Sequence, residues 1–345
     1  MNFLLKSLTL YTQNEIIDYE FFNKIRRCYV LSKECKPTSV GGQAVIEGVM
    51  MRGTKDIATA VRCPDGHIEI EKKPINLLSV KWKINRIPIL RGVFSFFESM
   101  YTGVSCLMFS AKFFEDDESS PEQMSKFEKW LQDKFGDKLL TIVMYISVLF
   151  SLVLGIGLFM LLPNFLAGLL RIPFPDLNVV VLNIFESVVK MTIFLLYLYL
   201  VSQMNDIKRV FMYHGAEHKS IFCYEHGDEL TVENVKKYTR FHPRCGTSFL
   251  VIVMIVSIIV FSCISWTSLK LRILYRLLLL PVVAGLSYEL IRFAGKCDNK
   301  FTRIISKPGV LLQHLTTKEP DDSQIEVALA ALKAVISENR EDDKW

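Results

Sequence analysis

Charge is scarce in this sequence of 345 residues: Asp, Glu, Lys and Arg together make up 22%, against 50% hydrophobic residues. A disordered chain needs the opposite balance, so disorder is excluded. The 17 Gly and 12 Pro are too few for a collagen-like rod. The 8 cysteines are scattered, which excludes a small disulfide scaffold and points to reduced thiols. The net charge of +5 is modest, and Lys and Arg flank apolar segments, so nothing singles out nucleic acid as a direct partner. The start, MNFLLKSLTLYTQ, has only a brief apolar run before Glu15, Asp18 and Glu20, unlike a secretory signal. The glycine-punctuated stretch GGQAVIEGVMMRG at 41–53 lacks the G-K-[ST] of a phosphate-binding loop and reads as a structural turn with a packed edge. Its Glu47 and Arg52 can complete a site or pair with each other's surroundings. No internal repeat stands out.

What the chain does have is apolar length. Mean hydropathy is +0.28, and four runs, at 139–162, 179–203, 249–266 and 273–294, are each long enough to cross ~30 Å of hydrocarbon as a helix. This argues against an ordinary cytosolic enzyme. The first run is expected to end at Pro163. Inside the second, Glu186 and Lys190 are four residues apart and are expected to neutralise each other, with a transport path as the functional alternative. Glu289 and Arg292, near the end of the fourth, are expected to snorkel to the interface. Lys and Arg crowd the tails and the 204–248 segment, whereas the first connection holds only Arg171. The positive-inside rule then places both termini and 204–248 in the cytoplasm.

The expected fold is mainly α: a polytopic membrane protein with about four transmembrane helices and a small cytoplasmic α+β part. Residues 1–38 form an N-terminal extension with a helix near 14–31, and 39–86 a small cytoplasmic β unit. There, Pro64-Asp65-Gly66 predicts a hairpin between runs at 57–62 and 67–71. Residues 87–137 hold an amphipathic helix over 88–114, with Phe94, Phe97, Tyr101, Val104 and Met108 on one stripe, lying on the membrane or packed on the bundle. A charged linker with a short helix follows at 115–137. Residues 138–203 carry transmembrane helices 1 and 2, 204–248 a cytoplasmic His/Cys metal loop, 249–294 helices 3 and 4, and 295–345 a tail. The tail has a terminal helix at 323–338, opened by Ser323 and Glu326 at capping-box spacing.

The chemistry concentrates at Tyr213-His214-Gly215-Ala216-Glu217-His218. On a helix, His214 and His218 point to one side and can bite one metal ion, while Glu217 can deprotonate a bound water; this is an H-x-x-E-H pattern. His242-Pro243-Arg244-Cys245-Gly246 follows, a turn like a zinc knuckle with His in place of the first Cys. Three or four of His214, His218, His242 and Cys245 thus make a ligand set for Zn²⁺ or another divalent metal, with the three histidines expected to hold it and Cys245 a fourth ligand or beside it. Glu217 is the candidate general base. A closed structural zinc site, or polar histidines without metal, are the alternatives. Metal binding is expected to order the intervening 219–241.

GGQAVIEGVMMRG, the DGHIE hairpin, RGVFSFFESMYTG, HGAEHKSIFCYE, HPRCGTSF and LTTKEPDDSQIEVALAALKAV occur together in one order. Over residues 39–338 the chain resembles the YqhQ-like family, the domain of unknown function 1385. The resemblance implies a bacterial multi-pass protein of the cytoplasmic membrane, of a kind usually labelled a metal-dependent enzyme. Family members are often encoded near ribosomal-protein and release-factor genes, which implies a link to translation or membrane-protein biogenesis. Two functions follow as expectations: a metal-dependent hydrolase at the cytoplasmic membrane face, or a non-enzymatic assembly or translocon-associated factor with a structural metal. Beyond the lipid bilayer, the biogenesis machinery is the implied partner.

Overall fold

The computed structural model describes residues 37–75, 84–114, 146, 149–151, 153–262, 269–296, 300–337 and 340–343. The helices expected near 14–31 and within 115–137 lie outside them.

Four antiparallel strands form a meander in the order β1-β2-β3-β4: β1 (Gly41–Val45), β2 (Gly48–Arg52), β3 (Asp56–Arg62) and β4 (Ile68–Pro74). The second hairpin is the one expected at Pro64-Asp65-Gly66, where Gly66 at φ 92 makes the turn. The glycine-punctuated stretch is itself a hairpin, with Val45 opposite Gly48. Its turn forces Glu47 to φ 46, a left-handed conformation that costs a side-chain-bearing residue ~1 kcal/mol. Arg209 offsets this with two 2.5 Å bonds to the Glu47 carboxylate, and Tyr213 adds its hydroxyl at 3.2 Å.

The helices are α1 (Leu90–Ala111), α2 (Leu149–Leu170), α3 (Val179–Val201), α4 (Asn205–His226), α5 (Val232–Lys236), α6 (Gly246–Ser262), α7 (Leu269–Lys296), α8 (Lys300–Thr316) and α9 (Asp322–Val335). Alternation sends Met51, Ala58 and Ala60 to one sheet face, where they pack with Tyr213, Ala216 and Cys223 of α4 and Ile325, Ala328 and Leu332 of α9. Val45, Met50 and Val61 face the other way, onto Cys106 and Phe109 of α1. The sheet is therefore covered on both faces by helices.

α2, α3 and the Leu274–Phe293 stretch of α7 are long and apolar enough to cross a membrane. The third expected run appears as α6, 17 residues long, or ~25 Å at 1.5 Å per residue, a little short of a span. Residues 263–268 beyond it lie outside the described residues. α2 does not stop at Pro163. A π turn at Gly157–Leu161 absorbs the backbone bond that proline cannot make, and the helix runs on to Leu170.

Two charge pairings differ from the sequence expectation, because partners distant in sequence compete with those nearby. Glu186 pairs with Arg276 of α7, not with Lys190. Glu289 pairs with Arg91 of α1 instead of reaching for solvent, which ties α1 to α7. α1 thus packs against the bundle through its Gly92 side, and the aromatic stripe faces outward, with Phe97 58% and Tyr101 79% exposed. The terminal helix starts earlier than expected: Asp321 is its N-cap, and Gln324, not Glu326, closes the capping box.

Candidate metal centre

The 204–248 segment is largely helical. Its first half is α4, whose 213–225 stretch is buried apart from the partly buried His214. α4 stops at Gly227, φ 82, whose amide bonds the Tyr224 carbonyl at 3.1 Å. The sequence hides this because many of the buried residues are polar and find partners only in the fold. Lys219 reaches Glu319, and Glu225 reaches Arg244.

His214 and His218 share one face of α4, with ring centroids 4.4 Å apart. Between them Gly215 lets the chain after α8 approach: a Cβ there would meet the Lys318 carbonyl oxygen at 2.1 Å. The HPRCG turn brings Cys245 to the start of α6, where its Sγ lies 3.1 Å from His214 Nε2 and 3.3 Å from the Thr247 amide. One ligand atom from each of His214, His218 and Cys245 falls within 4.8 Å of the others.

The proton positions follow from the outer partners. His214 Nδ1 lies 2.8 Å from the Thr316 carbonyl and His218 Nδ1 2.5 Å from the Arg240 carbonyl. A carbonyl only accepts, so both Nδ1 atoms donate and both Nε2 atoms point inward; His218 offers a lone pair there, and His214 does so once its Nε2 gives up a proton. His218 Nε2 is buried and has no hydrogen-bond partner. Burial disfavours the Cys245 thiolate, but the two imidazoles outweigh it and hold the thiol well below its ordinary range. Burial likewise works against the His214 imidazolium, and Cys245, with Glu217 and the Thr316 carbonyl, raises it to about 9. Two imidazole nitrogens and a thiolate converging on an orphaned lone pair are a donor set that suits tetrahedral zinc.

His242 stands beside this group. The Arg244 amide donates to its Nδ1 at 3.3 Å, which puts the proton of a neutral ring on Nε2, facing Glu225 Oε2 at 3.7 Å. Burial pushes His242 down to about 4. Its backbone is clamped at both ends by Gln313, at 2.8 and 2.7 Å. Glu217 is buried, its Oε2 3.9 Å from His214 Nε2, and burial raises its pKa. Gly42 of β1 seals it from above, since a Cβ there would lie 2.6 Å from the Met50 carbonyl oxygen and 2.9 Å from Glu217 Cγ. The glycine hairpin is thus the lid of the site, a role its sequence signals only by the repeated glycines.

A second group, Cys63, Asp65 and His67, also places three ligand atoms within 4.8 Å. It sits in the β3–β4 turn, and His67 is already bonded to Asp65 at 2.5 Å. A cleft of about 580 Å³ is on the α1 side of the sheet, lined by Arg52, Thr59, Lys73, Phe94, Phe97 and Tyr101, away from the histidines.

The profile of a family described as "Protein of unknown function (DUF1385)" matches residues 87–338. The chain is 39% identical over 307 residues to "Uncharacterized protein YqhQ" of Bacillus subtilis (strain 168), an alignment covering 89% of this chain and 95% of that protein. No solved structure matches it.

Proposed function

The chain belongs to the DUF1385 family, and we propose that it is a multi-pass protein of the bacterial cytoplasmic membrane holding zinc on the cytoplasmic side for a hydrolytic reaction. The observation that carries this reading is the orphaned, buried Nε2 of His218, aimed by the Arg240 carbonyl toward His214 and Cys245. His214, His218 and Cys245 are the protein ligands, and His242, its lone pair engaged by Arg244, is a positioning residue. Three protein ligands leave a fourth position, as catalytic zinc requires. When bound, the ion supplies Lewis acidity to a water or a carbonyl there. Glu217 takes the proton at Oε2 and returns it to the leaving group; its raised pKa suits both halves of that exchange. The three long apolar helices support the membrane reading, and the Lys and Arg around α4 favour the inner face for the site.

A second reading keeps the zinc and drops the reaction: a scaffold of the membrane-protein biogenesis machinery. The depth of the site favours it, with His218, Glu217 and His242 all buried. Glu217→Gln separates the two. As a general base, Glu217 is dispensable for the metal and the fold but not for in-cell function, so the variant keeps zinc and fails to complement a deletion. Full complementation would leave the scaffold.

A further inference from the structure

A charged cluster lies where α3, α6 and α7 meet, and it shares no residue with the histidine site. Glu186 and Arg276 form a two-point ion pair whose side chains are 3% and 6% exposed. Lys190, one turn further along α3, adds a second cation. Its Nζ and the Arg276 guanidinium carbon each lie 5.5 Å from the centroid of the Phe261 ring. Among the described residues no carboxylate lies within ion-pair distance of Lys190, so two basic side chains share one carboxylate.

The hydrogen-bond inventory has the same sign. Glu186 occupies the two terminal nitrogens of Arg276, and the buried Arg276 Nε is left without a partner. The neighbouring hydroxyls are spent on their own helices: Ser187 donates to the Asn183 carbonyl at 2.7 Å, Ser257 to Met254 at 2.8 Å and Ser262 to Ile258 at 2.6 Å. What remains to face the small cavity these residues line is a pair of N–H donors on two cations. That cavity measures about 10 Å³, room for a single water-sized particle. A water would satisfy the orphaned N–H but leave the partly buried Lys190 ammonium without a counter-ion, which is costly in apolar surroundings.

We propose that this cavity is a halide site, holding one chloride between Lys190 Nζ and Arg276 Nε. Its small volume favours a monatomic anion over phosphate or a carboxylate. The inference goes beyond the zinc reading and rests on it only in taking α3 and α7 as membrane spans. The test uses the full-length protein in detergent, prepared with gluconate at constant ionic strength and dialysed against radioactive chloride. Wild type should take up one chloride per chain, saturably. Bromide should displace it, sulfate and phosphate should not, and the thermal midpoint should rise as chloride is added. Lys190→Arg should retain uptake, whereas Lys190→Met should lose it and keep its zinc. No saturable uptake by wild type, displacement by sulfate, or undiminished uptake by Lys190→Met would each overturn the proposal. His218→Ala, which removes a zinc ligand, should leave chloride uptake unchanged, so the two sites fail independently.

Discussion

Glu225→Gln is the most informative single change outside the ligand set. Glu225 is fully buried and accepts from the Thr38 amide at 2.8 Å, the Thr38 hydroxyl at 3.2 Å and the Arg244 guanidinium. Burial alone would raise its pKa, but His242 and Arg244 hold it at about 2, against an ordinary 4.5. At 1.36 kcal/mol per pH unit, that difference amounts to about 3 kcal/mol of stability near neutral pH. Because the folded value is depressed, the contribution is complete above about pH 4.5 and is lost as pH falls toward 2. At pH 3 about 1.4 kcal/mol should remain. Gln keeps the shape but not the charge, so the variant should trail wild type by about 3 kcal/mol at pH 7, with the gap roughly halved at pH 3. Chemical denaturation in detergent at both pH values reads the gap, and hydrogen exchange at the Thr38 amide reads it locally. Equal stabilities at pH 7, or a gap that does not shrink by pH 3, would refute the assignment of Glu225 as the buried anchor behind His242.

The remaining perturbations probe separate parts of the fold. Gly42→Ala should cost about 1 to 3 kcal/mol in thermal or chemical unfolding, because the new methyl meets the Met50 carbonyl and Glu217. Arg276→Met should cost about 3 to 5 kcal/mol by stranding Glu186, and most of that should return when Glu186→Leu is added; a double mutant as unstable as the single one would contradict the pairing. Asp321→Ala should cost about 1 kcal/mol by removing the α9 cap. For topology, a cysteine placed at position 176, in the connection between α2 and α3, should react with a membrane-impermeant reagent in intact cells, and one at 226 should not; labelling at 226 would invert the placement.

Local pattern carried much of this into view. The i,i+4 histidines, the PDG turn and the apolar runs are read within one or two turns of chain, where periodicity and turn chemistry decide the outcome. The choices that sequence could not make are between partners far apart. Nothing near Glu186 says that Arg276 outcompetes Lys190, and nothing near His242 says that Gln313 clamps its backbone. The helical burial of Tyr213–Glu225 was obscured for the same reason: its charged and polar residues look solvated until Glu319, Arg244 and Asp343 are brought to them. The lid role of the glycine hairpin depends on Gly42 touching Glu217, 175 positions away by number. The three histidines and the cysteine were legible as a set; their division into ligands and a positioning residue came from the carbonyls of Thr316 and Arg240 and the amide of Arg244.

The central claim is that one zinc ion is held by His214, His218 and Cys245. Elemental analysis of the purified full-length protein, joined to X-ray absorption at the zinc edge, tests it in a single preparation. One zinc per chain, with one sulfur and two imidazoles in its shell and a lighter oxygen in the remaining position, is the predicted result; His242→Ala should leave that shell unchanged, and Cys245→Ser should remove the sulfur. A shell with three imidazoles, or no stoichiometric metal at all, would contradict the account.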